Sequence, residues 1–103
     1  MGKYHLSKRA DSDVAGIAAY TIKQFGIQQA RRYRDGLKQI LRKLAEYPNS
    51  GRSAEHLAPK LRRINFESHV IFFLRGEAGV LIVRILHQRM TFKHHPMTDD
   101  EPG

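Results

Sequence analysis

Residues 61–90, LRRINFESHVIFFLRGEAGVLIVRILHQRM, decide the fold. They form the chain's densest run of β-branched and aromatic residues, broken at Glu67-Ser68 and at Gly76-Glu77-Ala78-Gly79. Both breaks are short enough to be hairpin turns, so the stretch reads as three antiparallel strands. Arg62, Arg63, His69, Arg84, His87 and Arg89 are set into it. One segment therefore reads both as the sheet of the core and as a basic working surface.

A two-residue turn at Glu67-Ser68 sets Phe66 opposite His69, Ile64 opposite Ile71 and Arg62 opposite Phe73. Pairing Arg75 with Val80 across the second turn sets Phe73 opposite Ile82 and Ile71 opposite Arg84. Alternation then sorts two faces. Val70, Phe72, Leu74, Leu81, Val83 and Ile85 make the more apolar face, expected to receive helices. Arg62, Ile64, Phe66, His69, Ile71, Phe73, Ile82 and Arg84 make the other, expected to be concave, half open and used for binding. This register puts Arg63 on the helix side, near an edge.

Upstream, residues 3–6 are a short strand that must join the later sheet. Ser7 reads as a helix N-cap, with Asp11 and Asp13 suited to the positive end of the helix dipole. Ala10, Val14, Ile17, Ala18, Thr21 and Phe25 recur at helical spacing, and Gly26 is placed for a left-handed cap. A second helix begins at once. Ala30, Tyr33, Leu37, Ile40, Leu41 and Leu44 form its buried stripe, while Arg31, Arg32, Arg34, Lys38, Arg42 and Lys43 line its other side. A connection this short makes an antiparallel helix hairpin. Pro48-Asn49-Ser50-Gly51 is a turn, and residues 52–60 read as a loop with Leu57 dipping to the core edge. The fold class is α+β: an N-terminal strand, a two-helix hairpin, then a three-stranded antiparallel sheet packed on the helices. Residues 1–96 make one domain and residues 97–103 a flexible acidic tail.

The chain's 103 residues suffice for one small domain. No apolar run nears the ~20 residues needed to cross a bilayer, and the first residues lack the apolar core of a secretory signal. With no cysteine, disulfides and thiolate metal sites are excluded, which suits a cytoplasmic protein. The informative number is the formal net charge of +8. Three of the ten acids, Asp99, Asp100 and Glu101, lie at the very end, so the body is more basic still. Such a surface expects an acidic partner, the plain alternative being a solvated basic face.

Specific blocks now stand out in order: Tyr4-His5-Leu6-Ser7 with Ala10 and Asp13; Tyr20-Thr21; Phe25-Gly26; Gln29-Ala30 with Tyr33; Leu44-Ala45 with Pro48; Gly51-Arg52; Leu61-Arg62; residues 68–73; and residues 82–90. The last, with Arg84, Ile85-Leu86-His87 and Arg89-Met90, is the most specific. Across residues 4–95 the chain resembles the ParE toxins of the RelE/ParE superfamily. That resemblance implies the toxin of a bacterial type II toxin–antitoxin system, inhibiting DNA gyrase. The implied partner is a ParD-like antitoxin, which touches DNA on the toxin's behalf, with no cofactor and no membrane.

The rival within the same superfamily is a RelE-like, ribosome-dependent mRNA endonuclease. Attack by a 2′-hydroxyl needs a base, a cation for the phosphorane and an acid for the leaving oxygen. RelE-like nucleases supply these from the concave sheet face and the C-terminal region. The candidates here are His69, Arg84, His87, Arg89 and His95. His69 stands where a key RelE arginine falls, and no tyrosine follows Tyr47, so the constellation is altered. The expected binding set for antitoxin or target is Arg52, Arg62, Arg63, His69, Phe73, Arg84, His87, Arg89 and Met90. Among these, Arg84 is expected to take an acid, from the antitoxin for example, and Arg62 has a structural alternative in Glu67 or Glu55. No metal site is expected: His94-His95 are adjacent, and His5, His56, His69 and His87 lack ligand spacing. A direct DNA-reading module is not expected either, since no helix-turn-helix is visible.

Overall fold

A computed structural model describes residues 2–89. In chain order these form β1 (Tyr4–Leu6), α1 (Lys8–Phe25), α2 (Ile27–Glu46), β2 (Arg52–Ser53), β3 (Arg62–Phe66), β4 (His69–Gly76) and β5 (Gly79–His87). Among the described residues the strands make one sheet in the order β1-β5-β4-β3-β2. β1 runs parallel to β5, and the other pairs are antiparallel. The expected loop at residues 52–60 therefore opens with a two-residue edge strand, Arg52 pairing with Arg63 and Ser53 with Arg62.

Local chemistry explains the helix limits. Ser7 Oγ accepts from the Ala10 N–H at 3.0 Å, capping α1. The same hydroxyl donates to the Val83 carbonyl at 2.7 Å, tying the cap to the sheet. Gly26 separates the helices with φ +90° and ψ 168°, so its positive φ is extended rather than left-handed helical. At the β4–β5 turn Gly79 has φ +127°, and an added Cβ would run into the Lys3 carbonyl oxygen where β1 docks. Gly79→Ala should therefore cost about 1–3 kcal/mol and loosen β1. Urea unfolding checks this, and a loss under about 0.5 kcal/mol would refute the close-approach argument.

The β3–β4 register is as expected, with Phe66 opposite His69, Ile64 opposite Ile71 and Arg62 opposite Phe73. Across β4–β5, Arg75 meets Val80 and Phe73 meets Ile82, also as expected. Beyond them the register shifts by one: Phe72 meets Arg84 and Ile71 meets Ile85. Val83 is thus the extra residue of a β-bulge, and the expected Ile71–Arg84 pairing is corrected.

The assignment of faces is also corrected: it is reversed for the core positions of the strands except Ile85, which the bulge returns to the helix side as expected. Ile71, Phe73, Val80, Ile82 and Ile85 pack with Ala10, Leu37, Leu41 and Leu44 under the helices, flanked by Ile64 and Phe66. The opposite face, with Val70, Phe72, Val83 and Leu86, is covered by Ala54 and Leu61 and by Leu57 and Ala58. Residues 54–61 thus close a second small core instead of skirting the edge. With both faces covered, both are apolar, and alternation alone does not say which one meets the helices. Arg63, opposite Phe72, shares the second face and not the helix side.

Candidate functional site

The helices extend past the sheet. From Ala18 to Gln29 only Thr21 is even partly buried, and Tyr20, Ile22, Phe25 and Ile27 are all exposed. Below this overhang an open groove of about 950 Å3 runs between the helix hairpin and the end of the sheet. α1 contributes Asp13, Gly16, Ile17, Tyr20 and Phe25, and α2 contributes Gln29, Arg32, Tyr33 and Gly36. Residues 66–69 and the end of β5, Ile85 and residues 87–89, close it. Tyr20 and Phe25 stand edge to face, their ring centroids 6.5 Å apart, with more than half of each side chain in solvent. An open groove with aromatic anchors and a rim carrying Arg32 and Arg89 suits an amphipathic acidic segment.

At the inner end of the groove Arg84 and Asp13 form a nearly buried ion pair, their side chains 11% and 12% exposed. Arg84 Nε donates to Asp13 Oδ2 and Nη2 to Oδ1, both at 2.9 Å. Asp13 Oδ2 also accepts the Ile85 N–H at 2.9 Å. One carboxylate therefore satisfies both the guanidinium and a backbone donor freed by the bulge. The acid expected for Arg84 comes from α1 of the same chain, not from another protein. Ser7 holds the neighbouring carbonyls, its N–H donating to Ile82 O at 2.9 Å and its hydroxyl to Val83 O. The first turns of α1 thus clamp the bulge that shapes the groove floor.

His69 begins β4 beside this pair. Its Nδ1 lies 3.0 Å from the Tyr33 hydroxyl in a hydrogen bond, and its ring stands edge to face on His87 with centroids 5.5 Å apart. Burial, and next the His87 ring, hold His69 below the ordinary histidine pKa, while the Asp13 carboxylate pulls the other way. Burial, and secondarily Glu67, push the Tyr33 phenol up, so it stays protonated. Because the folded chain favours a neutral His69, the unfolded chain binds more protons just below pH ~6.5. The stability contributed by His69 is complete above that pH and is lost as pH falls towards the lowered folded value. His69→Gln should flatten this acid limb in a series of urea unfolding curves. An unchanged slope would show that His69 is not its source.

The remaining candidates scatter. Phe73 is 0% exposed, inside the helix-side core, because the expected open face is the covered one; it is corrected to a packing residue. Arg62 turns to backbone rather than to Glu67 or Glu55. Its Nε donates to Ser50 O at 3.1 Å, and its Nη2 to Asn49 O and Gly51 O at 2.7 and 3.1 Å. It thereby fastens the turn after α2. Arg52 and Arg63 pair across β2–β3, at the end of β3 away from the groove. His87 Nδ1 accepts the Arg89 N–H at 3.1 Å, so these two stay on the groove rim with His69. Met90, His95 and the tail at 97–103 lie outside the described residues. Sequence reasoning missed Tyr33, Tyr20, Phe25 and Asp13 as site residues. The available signal for Asp13 was an acid between Ala10 and Ile17 on the apolar side of α1.

Among the described residues no three His, Asp or Glu side chains converge as a metal ion requires. Nor is any described helix long and apolar enough to cross a membrane.

A helix hairpin laid on a mixed, mostly antiparallel sheet, with a groove at its overhanging end, is an arrangement that comparison with known proteins places. The family model described as "ParE toxin of type II toxin-antitoxin system, parDE" matches residues 4–92. The Toxin ParE1 of Caulobacter vibrioides is 37% identical over 95 residues, covering 92% of this chain and 98% of that one. The Toxin ParE of Escherichia coli is 37% identical over 91 residues, 87% of this chain and 88% of that one. A solved structure titled "Chromosomal ParDE TA system from P. aeruginosa" superposes with a TM-score of 0.72, covering 84% of this chain and 96% of that one. At 18% identity that likeness speaks for the fold. The chain belongs to the ParE toxin family and is the toxin component of a type II toxin–antitoxin system.

Proposed function

We propose that this toxin inhibits DNA gyrase by binding it, and that a ParD-like antitoxin neutralises it by laying an amphipathic acidic segment in the groove. Family membership along nearly the whole chain supports the reading. The observation that carries the choice of binding over cleavage is the commitment of the would-be catalytic groups. Arg84 is clamped by Asp13 in a nearly buried pair, and His69 is bonded to Tyr33. A phosphate in the groove would meet neither a free arginine fork at Arg84 nor an unengaged Nδ1 at His69. Tyr20 and Phe25 offer apolar anchors, and Arg32 and Arg89 offer charge at the rim. In this reading the toxin works in the cytoplasm and reaches its operator through the antitoxin.

A supercoiling assay with purified gyrase is the test. The expected result is inhibition at near-stoichiometric toxin, relieved by the antitoxin. Unaffected gyrase at large excess would reject the target. Primer extension on ribosome-bound message addresses the nuclease alternative, for which the His69–His87 contact on the rim is the remaining structural argument. Codon-positioned cuts would establish cleavage, and uncut message is expected.

A further inference from the structure

The exposed side of α2 carries a row of cations that the groove does not use. Arg31, Arg34, Lys38 and Arg42 are all exposed and follow one another at three-, four- and four-residue steps. Such steps place them on one side of the helix. At 1.5 Å per residue the row is about 17 Å long. The single acid set into it, Asp35, lies 3.3 Å from Arg34 in an open ion pair with side chains 57% and 66% exposed. A pair so open is weak enough for another anion to displace.

We infer that this row on α2 binds the phosphate backbone of duplex DNA, so that the toxin itself touches DNA without reading its sequence. One strand of a duplex presents a charge about every 3.4 Å of axis, or about five phosphates over the length of the row. No aromatic residue lies between Arg31 and Arg42 on the exposed side, since Tyr33 turns to His69. Stacking on single-stranded bases is therefore not provided for. An acidic peptide would want apolar anchors beside the charges. On this molecule the aromatic anchors stand at Tyr20 and Phe25, by the groove, and the row itself has one exposed apolar neighbour, Ile27, a turn before Arg31. A plain row of cations on a straight helix fits a rigid polyanion best. The inference rests on α2 alone and holds whether or not gyrase is the target.

The test is fluorescence anisotropy of the purified full-length toxin on a 30-base-pair duplex of arbitrary sequence, across a salt series. Wild type should bind with log K falling against log salt at a slope of about −3.6, the value for four phosphate contacts. Arg31→Gln, Arg34→Gln, Lys38→Gln and Arg42→Gln combined should weaken binding at least tenfold at 100 mM salt and bring the slope near zero. A control neutralises four exposed cations elsewhere, with Lys3→Gln, Lys8→Gln, Lys60→Gln and Arg75→Gln, and should keep most of the affinity. Equal losses in both variants would mean that net charge alone attracts DNA, overturning the inference. So would undiminished binding by the α2 variant. If that variant keeps DNA but loses polyglutamate, the row is a protein-docking face and the inference is also overturned.

Discussion

Asp13→Ala should remove about 3–5 kcal/mol of stability, much of what a domain of this size has. The reason is positional. Asp13 accepts both Arg84 bonds and the Ile85 N–H, all at 2.9 Å, in a spot where both side chains are about nine-tenths hidden. Alanine takes these three bonds away and leaves a guanidinium close to the helix-side core. Most of the loss is the cost of keeping that charge buried without its carboxylate, and only a part is the worth of the ion pair itself. Removing both charges together, as Asp13→Leu with Arg84→Met, should therefore restore a large share of the stability. The Ile85 N–H would remain unpaired and account for about 1–3 kcal/mol of residual loss. Urea unfolding measures all three chains. If the double variant is no more stable than Asp13→Ala, the buried-charge account is wrong.

The second large effect concerns binding rather than folding. Tyr20→Ala and Phe25→Ala should each weaken antitoxin binding by about 2 kcal/mol or more, roughly 30-fold, as buried aromatic anchors do in interfaces. Both side chains are mostly exposed in the free toxin, at 62% and 67%. Their loss should therefore change stability by less than about 0.5 kcal/mol. Calorimetric titration with the antitoxin segment, beside urea unfolding, separates the two quantities. Affinities within threefold of wild type for both variants would place the antitoxin elsewhere on the surface.

The legible parts of the fold were those set by short-range chemistry. The two-residue turn at Glu67-Ser68 specified the β3–β4 register, and Ser7 announced the start of α1. The errors arose where tertiary context chose between equal local options. Phe72 and Phe73 are both 0% exposed, one on each face of the sheet, so neither marks the helix side by its chemistry. The bulge at Val83 has no glycine to signal it, yet it shifts the partner of Ile71 from Arg84 to Ile85. That single shift decides the fate of Arg84, which on an unbroken strand would have stood opposite Ile71. Residues 52–60 read as a loop with only Leu57 at the core edge, because so short a segment has no period to read; only the sheet face left open by the helices explains why Ala54, Leu57 and Ala58 turn inward beside Leu61.

The site was half legible for the same reason. His69, His87 and Arg89 were found because polar groups on strands stand out, and they do share the groove rim. Phe25 was not found because at helical spacing an aromatic residue reads as core, and Tyr20 because it falls outside the apolar stripe of α1. Here the helix hairpin runs past the end of the sheet, so its apolar residues have no inner surface to meet. An exposed Phe25 is thus a consequence of helix length relative to strand length, which no local pattern records.

The most direct test of the account is to express the toxin without its antitoxin and follow DNA and protein synthesis together by pulse labelling. Growth should stop, with DNA synthesis falling first while protein synthesis continues, and co-expressed antitoxin should prevent both effects. Protein synthesis failing first, with message cut at ribosomes, would contradict the account and reinstate the nuclease reading.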